Sequence, residues 1–199
     1  MIARLEPNYL FQLPTFAEFD LPAGNDDEIL DALSVDACAD SVEMDARIEL
    51  LKRLKKTAAE VVKELDGQAI QFENSRKLYA TAFAESSNAE YQEKYRQVGD
   101  ALQDLYFQQS VATDLQRRLG EMIRAGEKAK DEARRKEFAA RLKKLRLAAG
   151  LKQVDLALII GISASGYANY EQGKADPSIP ILIRICHALN CSADKILGI

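Results

Sequence analysis

The residue types that most often carry enzymatic or metal chemistry are scarce in this 199-residue chain. His187 is the single histidine, and the three cysteines, Cys38, Cys186 and Cys191, form no repeated CxxC pair. The acidic triplet 26–28 has the composition of a helix's first turn, where carboxylates oppose the positive end of the helix dipole. No phosphate-binding loop and no nucleophile beside a base is present. We therefore predict no catalytic residue, no metal site and no cofactor.

Charge is distributed unevenly along the chain. Residues 1–45 carry eleven Asp or Glu and a single basic residue, whereas residues 46–199 carry 20 acidic and 26 basic residues. The net charge of −4 is thus the sum of −10 for the first part and +6 for the second. The second part is suited to attract nucleic acid, and the first part is suited to repel it.

The composition predicts a soluble protein of the cytoplasm. Apolar residues make up 47% and charged residues 29% of the chain, and no run of about 18 apolar residues occurs. The first residues lack the long apolar stretch and the small-residue cleavage site of a signal peptide. We therefore expect no membrane partner.

Residues 1–40 are predicted to form an acidic arm with one short helix. Three prolines among the first 22 residues argue against a helix there. The aromatic residues of this stretch suit an extended arm docked on an apolar surface: Tyr9, Phe11, Phe16 and Phe19. The alternative is a disordered acidic leader. Asn25 and Glu28 have the spacing of a capping box, which predicts a helix near Asp26–Leu33.

Residues 41–126 are predicted to form two long helices. The first runs from about Ser41 to Glu85, where no proline occurs and every seventh residue is apolar: Met44, Leu51, Ala58, Leu65, Phe72 and Tyr79. The companion positions of this repeat are mixed, so it favours an amphipathic helix over a regular coiled coil. Ser87 and Glu90 have capping-box spacing and predict the start of the second helix.

Two helices joined by a short connection are expected to lie antiparallel as a hairpin, although an intermolecular coiled coil stays open. A hairpin of two helices leaves apolar surface uncovered, so we expect a second copy or the N-terminal arm to cover it. The charged residues 127–136 are either a linker or an extension of a helix into the next domain.

Residues 137–199 carry the start and stop signals of five short helices. The first of these ends near Ala149. The second and third, residues 153–160 and 164–171, are separated by Gly161, where a tight turn favours a residue without a Cβ. Serines precede the third, fourth and fifth helices as N-caps: Ser163, Ser178 and Ser192.

This segment resembles the lambda-repressor-like, Cro-type helix-turn-helix family, also called the xenobiotic-response-element type. The resemblance rests on the order and spacing of LRLAAGLKQ, LA, GIS, YANYEQGKADPS and ICHALNCSADKIL. It implies a five-helix domain whose third helix enters the major groove of double-stranded DNA, while the second lies across the backbone. Together with the long helices before it, the chain is expected to be all-α.

The resemblance also implies which residues contact DNA. Gln153 and Lys174 match residues that contact phosphates, and Asn169 matches a residue that reads bases, where it can bond adenine. The other implied contacts lie on or beside the third helix: Ser163, Ala164, Ser165 and Tyr167. Of these, Tyr167 is expected to pack in the core with a hydroxyl that could reach a phosphate. Arg146 and Glu171 match a structural pair that joins the first helix to the third.

The sequence departs from the family pattern at the ends of two helices. Lys152 stands where a Ser or Thr usually caps the second helix. Short residues, Ala164, Ser165 and Gly166, stand where the family often has long Gln or Arg side chains. We therefore expect few direct contacts to bases and a larger contribution from phosphate contacts and DNA shape.

These features predict a non-enzymatic transcriptional regulator of a bacterium or phage, in the form of a dimeric repressor whose residues 41–125 hold the homodimer. The main alternative is an antitoxin or anti-defence protein. Its acidic N-terminal half, residues 1–125, would bind a partner protein while the helix-turn-helix represses its own gene. A third hypothesis is a structural coiled-coil protein whose helix-turn-helix has lost DNA binding.

Overall fold

The structure is a computed structural model that describes residues 14–35, 38 and 40–199. No strand occurs among these residues, which confirms the predicted all-α class. After a short 3-10 helix at Pro14–Phe16, the α-helices are, in chain order, α1 (Asp26–Ala32), α2 (Ser41–Ser86), α3 (Ala89–Ala148), α4 (Gln153–Ile160), α5 (Ala164–Glu171), α6 (Ile179–Ala188) and α7 (Ala193–Leu197).

The chain divides after Gly126 into two compact units, the second of which is Glu127–Ile199. Each unit has a hydrophobic core of its own. The 60-residue helix α3 contributes side chains to both cores. The charged residues 127–136 are helical and form part of α3.

Part of the N-terminal segment packs on the first unit's core. Phe16 is 1% exposed and Phe19 is 8% exposed, so both rings are buried in this core, and Pro14–Phe16 form a single turn of 3-10 helix where an extended arm was predicted. The Arg53 guanidinium of α2 lies 5.0 Å from the centre of the Phe19 ring. Residues 1–13, with the predicted docking of Tyr9 and Phe11, lie outside the described residues.

Helix α1 starts at the predicted capping box. The Asn25 Oδ1 accepts the backbone N–H groups of Asp27 and Glu28 at 3.1 and 3.0 Å. The Glu28 Oε2 accepts the Asn25 N–H at 2.9 Å in return, so three otherwise unpaired donors at this helix end are satisfied.

Helices α2 and α3 form an antiparallel hairpin. The buried residues between them are Leu51, Leu54, Ala58 and Val61 of α2, and Ala112, Leu115, Leu119 and Ile123 of α3. Farther from this core, Tyr106 donates to Glu73 and Gln109 donates to Asp66. The partner on α2 moves back along the chain as the residue on α3 moves forward, which fixes the antiparallel direction.

The start of α3 differs from the prediction by one residue. The N-capping side chain is Asn88, whose Oδ1 accepts the Glu90 N–H at 2.9 Å. Ser87, which was predicted as the cap, ends α2 with a left-handed φ of 51°. The prediction was wrong because the connection is so short that one residue closes α2 and the next opens α3.

In the second unit, the end of α3 and the helices α4 to α7 surround one core. Its fully buried members include Leu142, Leu156, Ile160, Tyr167, Ile185 and Ile196. The helices α4 and α5 have the bounds that the sequence predicts. This agreement follows from local signals, because Gly161 ends α4 in the left-handed conformation and Ser163 caps α5.

Candidate nucleic-acid interface

A helix, a tight turn and a second helix, α4 and α5, form the centre of the candidate site. Gly161 has a φ of 71°, a conformation that favours glycine. The Ile162 N–H then donates back to the Ala157 carbonyl at 3.0 Å, which closes the end of α4. The Ser163 Oγ accepts the Gly166 N–H at 3.1 Å and starts α5. The turn between α4 and α5 is therefore held by one backbone hydrogen bond and one side-chain cap.

A buried carboxylate fixes α5 against the rest of the unit. Arg146 Nε and Nη2 donate to Glu171 Oε1 and Oε2 at 2.6 and 2.9 Å, and the two side chains are 7% and 2% exposed. Glu171 also accepts from the Gln153 amide at 2.7 Å and from the Tyr167 hydroxyl at 2.8 Å. Arg146 Nη1 donates to the Leu151 carbonyl at 2.7 Å. One carboxylate thus joins α3, α4 and α5.

The electrostatics of this network keep Glu171 charged. Burial alone would raise the pKa of Glu171, but the hydrogen bonds from Arg146, Gln153 and Tyr167 hold it below its usual value. Burial, followed by the hydrogen bond to Glu171, raises the pKa of the Tyr167 hydroxyl. The carboxylate is fully paired, so its charge stabilises the arrangement.

The outer face of α5 is polar. Ala164, Ser165 and Asn169 are exposed, as is Gln172 at the C-cap of the helix. Residues 165, 169 and 172 are spaced by four and three, so they share one face. Gln172 was not among the predicted contacts, although its spacing of three residues from Asn169 is visible in the sequence. An exposed face with two amides can exchange hydrogen bonds with base edges.

Tyr167 does not belong to this face, and its inclusion among the DNA contacts was wrong. The side chain is 0% exposed, and its hydroxyl already donates to Glu171. Because Tyr167 lies on the side of α5 that faces the core, its ring supports the helix from beneath. It therefore acts on the outer face only through the position of α5.

The side chain of Gln153 lies at the start of α4 and is half-buried. A primary amide has two N–H donors, and one of them is donated to Glu171. The second donor and the free N–H groups of the helix's first turn remain suited to an anion. Beyond α5, Lys174 is exposed, and its backbone N–H donates to the Asn169 carbonyl at 2.9 Å.

Residue types that bind metal ions are not clustered in the part of the chain that the structure describes. No group of three or more His, Cys, Asp or Glu side chains there is placed to hold a metal ion. His187 is exposed, while Cys186 and Cys191 are half-buried beside the second unit's core. Within the same residues, no helix has an apolar run that could span a bilayer.

Comparison with known proteins places this site in a family. A family model described as "Helix-turn-helix" matches residues 142–196. An uncharacterized HTH-type transcriptional regulator, YonR, derived from the SPbeta prophage of Bacillus subtilis (strain 168), is 40% identical over 60 residues. The aligned region covers 30% of this chain and 56% of that protein's own length. Residues 142–196, which contain α4, the turn and α5, therefore form a lambda-repressor-like helix-turn-helix domain.

Proposed function

We propose that this protein is a DNA-binding transcriptional regulator that inserts α5 into the major groove. The observation that carries the proposal is the exposed polar face of α5, held in place by the buried Glu171 network. A rigid helix with a polar outer face suits sequence recognition, because little conformational freedom is lost on binding. The similarity to a prophage HTH-type regulator supports the same function.

The side chains around α5 suit different contacts. Asn169 and Gln172 each carry an amide that can bond adenine through two hydrogen bonds, so we assign them to base reading. The short Ala164 and Ser165 allow close approach of the helix to the bases. Gln153 and Lys174 flank this face, and we assign them to phosphate contacts that set the position of the domain.

The side chain of Ser163 has another role. Its Oγ already accepts the Gly166 N–H, and it lies 3.2 Å from the Ser165 Oγ. We therefore assign it to the N-cap of α5 and to the first turn of the helix that meets the DNA. A contact between this hydroxyl and a phosphate would have to compete with the cap.

We further propose that the protein binds DNA as a homodimer held by residues 41–125, and that it acts as a repressor. The N-terminal segment covers one part of the hairpin, but large apolar side chains elsewhere on α2 and α3 are at least 37% exposed: Ile70, Leu78, Tyr95, Tyr106 and Phe107. A second copy would cover such a surface. Joining two domains makes the second DNA contact intramolecular, which can strengthen binding by about 10²–10⁴-fold.

The homodimer can be tested by light scattering on the intact protein. We expect a mass of twice the 22.1 kDa chain at micromolar concentration. The double variant Ile70→Glu with Leu78→Glu should lower this mass, because it places charges in the proposed interface. Lys63→Glu, an exposed position on the same helix, is the control and should stay dimeric. A monomeric wild-type protein would refute the homodimer.

DNA binding can be tested by selecting fragments from a random pool with the full-length protein. We expect a recurring pseudo-palindrome whose half-site centres are about one helical turn, or a multiple of it, apart. Its affinity should exceed that for scrambled DNA by about 10³-fold or more. If no sequence is enriched and all DNA binds equally, sequence recognition by α5 is wrong.

The antitoxin or anti-defence hypothesis keeps the DNA-binding domain but assigns the first unit to a partner protein. Exposed carboxylates around α1, those of Glu18, Asp20, Glu28 and Asp31, give this region an acidic surface that suits a basic protein. Stoichiometric co-purification of a basic protein with the full chain, lost on deletion of residues 1–40, would favour this second candidate.

A further inference from the structure

We infer that residues 127–136 of α3, which precede the matched helix-turn-helix segment, are a positioning element for DNA contact. They hold the loop between α5 and α6, and through that loop they set the position of Lys174. This inference rests on the proposed DNA-binding function. It assigns a role to a part of the chain that lies outside the similarity to the family.

The loop and α3 meet backbone to backbone. Gly173 has a φ of 68°, and a Cβ added to it would lie 3.4 Å from the carbonyl carbon and oxygen of Arg135. It would also lie 3.5 Å from the Lys136 nitrogen. No side chain separates the loop from α3 at this point. The residue directly before Lys174 therefore touches the segment 127–136.

Ion pairs close the same contact three residues farther along the loop. Asp176 Oδ2 lies 2.9 Å from Arg134 Nη2 and 3.1 Å from Arg135 Nε. Asp131, on the preceding turn of α3, lies 3.1 Å from Arg134 Nη2 and 3.0 Å from Arg135 Nη2. Two carboxylates and two guanidinium groups thus form one network. A network with this geometry is worth more than an isolated surface pair.

The arginines keep Asp176 charged. Burial would raise the pKa of Asp176, but the hydrogen bonds from Arg134 and Arg135 hold it below its usual value. The position of this charge needs an explanation, since Asp176 is only two residues from Lys174, which we assign to a phosphate. A lone carboxylate there would repel the DNA. Paired with the two arginines, it instead anchors the loop.

Lys174 is thus held from two sides. Its backbone N–H bonds the Asn169 carbonyl of α5 at 2.9 Å. On the other side, Gly173 and Asp176 bind the loop to α3. We call the contacts of Gly173 and Asp176 with residues 127–136 the clamp. A loop that is already ordered loses less conformational entropy when it meets the DNA backbone, so the clamp strengthens binding without contacting DNA itself.

The decisive variant is Asp176→Asn in the full-length protein. Long-range electrostatics and loss of the clamp predict changes of opposite sign in the Kd for DNA. Removing a negative charge near the DNA would tighten binding if only long-range electrostatics mattered. Loss of the clamp should instead raise the Kd for the selected DNA about three- to tenfold, the range expected when exposed ion pairs are lost. Asp194→Asn, an exposed acid of the same unit, is the matched control and should leave the Kd unchanged or lower.

Two further measurements show whether Asp176 acts through the arginines and on Lys174. When Arg134 and Arg135 are both changed to Gln, Asp176→Asn should no longer weaken binding. In a Lys174→Ala background, its effect should shrink to less than about twofold. Asp176→Glu keeps the charge and should restore most of the affinity. Thermal melting of each variant establishes that the fold is retained.

Unchanged or tighter binding by a folded Asp176→Asn protein overturns the inference, and so does an equal loss in Asp176→Glu. The inference is also overturned if Asp176→Asn weakens DNA binding as much in the Arg134→Gln, Arg135→Gln background or in the Lys174→Ala background as it does in the wild type. These results are distinct from a failure of the proposed function, in which the wild-type protein itself enriches no DNA sequence.

Discussion

Replacing Arg146 with Met should strand a buried carboxylate. The Met side chain keeps much of the volume of the arginine but none of its donors, so Glu171 loses both bonds of the bidentate pair. Because the Glu171 side chain is 2% exposed, water cannot replace the two hydrogen bonds from Arg146. Breaking a buried pair in this way typically costs about 3–5 kcal/mol.

The structure places the expected cost near the lower end of that range. Glu171 retains the donors of Gln153 and Tyr167 at 2.7 and 2.8 Å, so its charge is not left without partners. We therefore expect Arg146→Met to destabilise the second unit by about 3 kcal/mol, which is more than a hundredfold in the unfolding equilibrium.

The loss of stability caused by Arg146→Met should be larger at neutral pH than at acidic pH. In the wild-type protein the pKa of Glu171 is lowered, so its contribution to stability is present above the unfolded-state pKa. That contribution is lost as the pH falls through the lowered value. In the variant, burial is opposed only by the hydrogen bonds from Gln153 and Tyr167, so we expect the pKa of Glu171 to be higher than in the wild type and the group to be protonated at a higher pH. The stability difference between the two proteins should therefore be largest near neutral pH and should narrow on acidification.

Native-state hydrogen exchange of the α4 and α5 amides, at about pH 7 and about pH 4, measures this locally. A local readout is needed because the chain has two units and one melting curve does not separate them. Lys143→Met removes the same charge from the exposed face of the same helix and should change stability by less than about 0.5 kcal/mol. If Arg146→Met is as stable as the wild type, or if the difference is independent of pH, the reasoning fails.

Three other predictions concern the DNA contact, the burial of Phe16 and the loop at Gly173. Asn169→Ala should relax the preference at one base position and cost about 1–3 kcal/mol of binding free energy on the selected site. Gln153→Ala should weaken binding to all sequences alike. Equal losses of affinity for selected and random DNA in both variants would contradict these roles. Phe16→Ala should destabilise the first unit by about 3–5 kcal/mol in chemical denaturation, because the ring is 1% exposed, and a loss below about 1 kcal/mol would show that the arm is not docked. Gly173→Ala should lower the stability of the second unit by about 1–2 kcal/mol through its positive φ, measured by the same hydrogen exchange, and protection at wild-type level would argue against this backbone geometry.

The features that could be predicted from the sequence are those determined within a few residues. The cap at Asn25 and the helix stop at Gly161 involve hydrogen bonds to neighbours two to five residues away, so the residue types reveal them. The bounds of α4 and α5 follow from such signals. The one-residue error at Ser87 shows the limit, because two adjacent polar residues can both cap and only the folded connection decides between them.

The features that could not be predicted depend on side chains far apart in the chain. Asp176 meets Arg134 across 42 positions, and nothing in the local sequence distinguishes it from other loop acids. The bond from the Gln153 amide to Glu171, 18 positions away, depends in the same way on the packing of α4 against α5, whereas the packing of Tyr167 in the core was expected. The exposed face of α5 was partly predicted, but Gln172 was missed because it lies beyond the last residue assigned to the helix.

The contact between Gly173 and α3 bears on how such a domain can be exchanged between proteins. A recombination event that joins a new N-terminal region at the edge of the family similarity would carry the loop with Asp176 but leave Arg134 and Arg135 behind. Under the proposed function, the transferred domain would keep α4 and α5, yet it would present an uncompensated carboxylate to the DNA backbone. Productive exchange therefore requires a junction upstream of Asp131, which makes the inherited unit longer than the recognisable domain. If regulators with different junctions were selected for DNA binding, the selected junctions should lie about three helical turns before residue 142, where the family similarity begins.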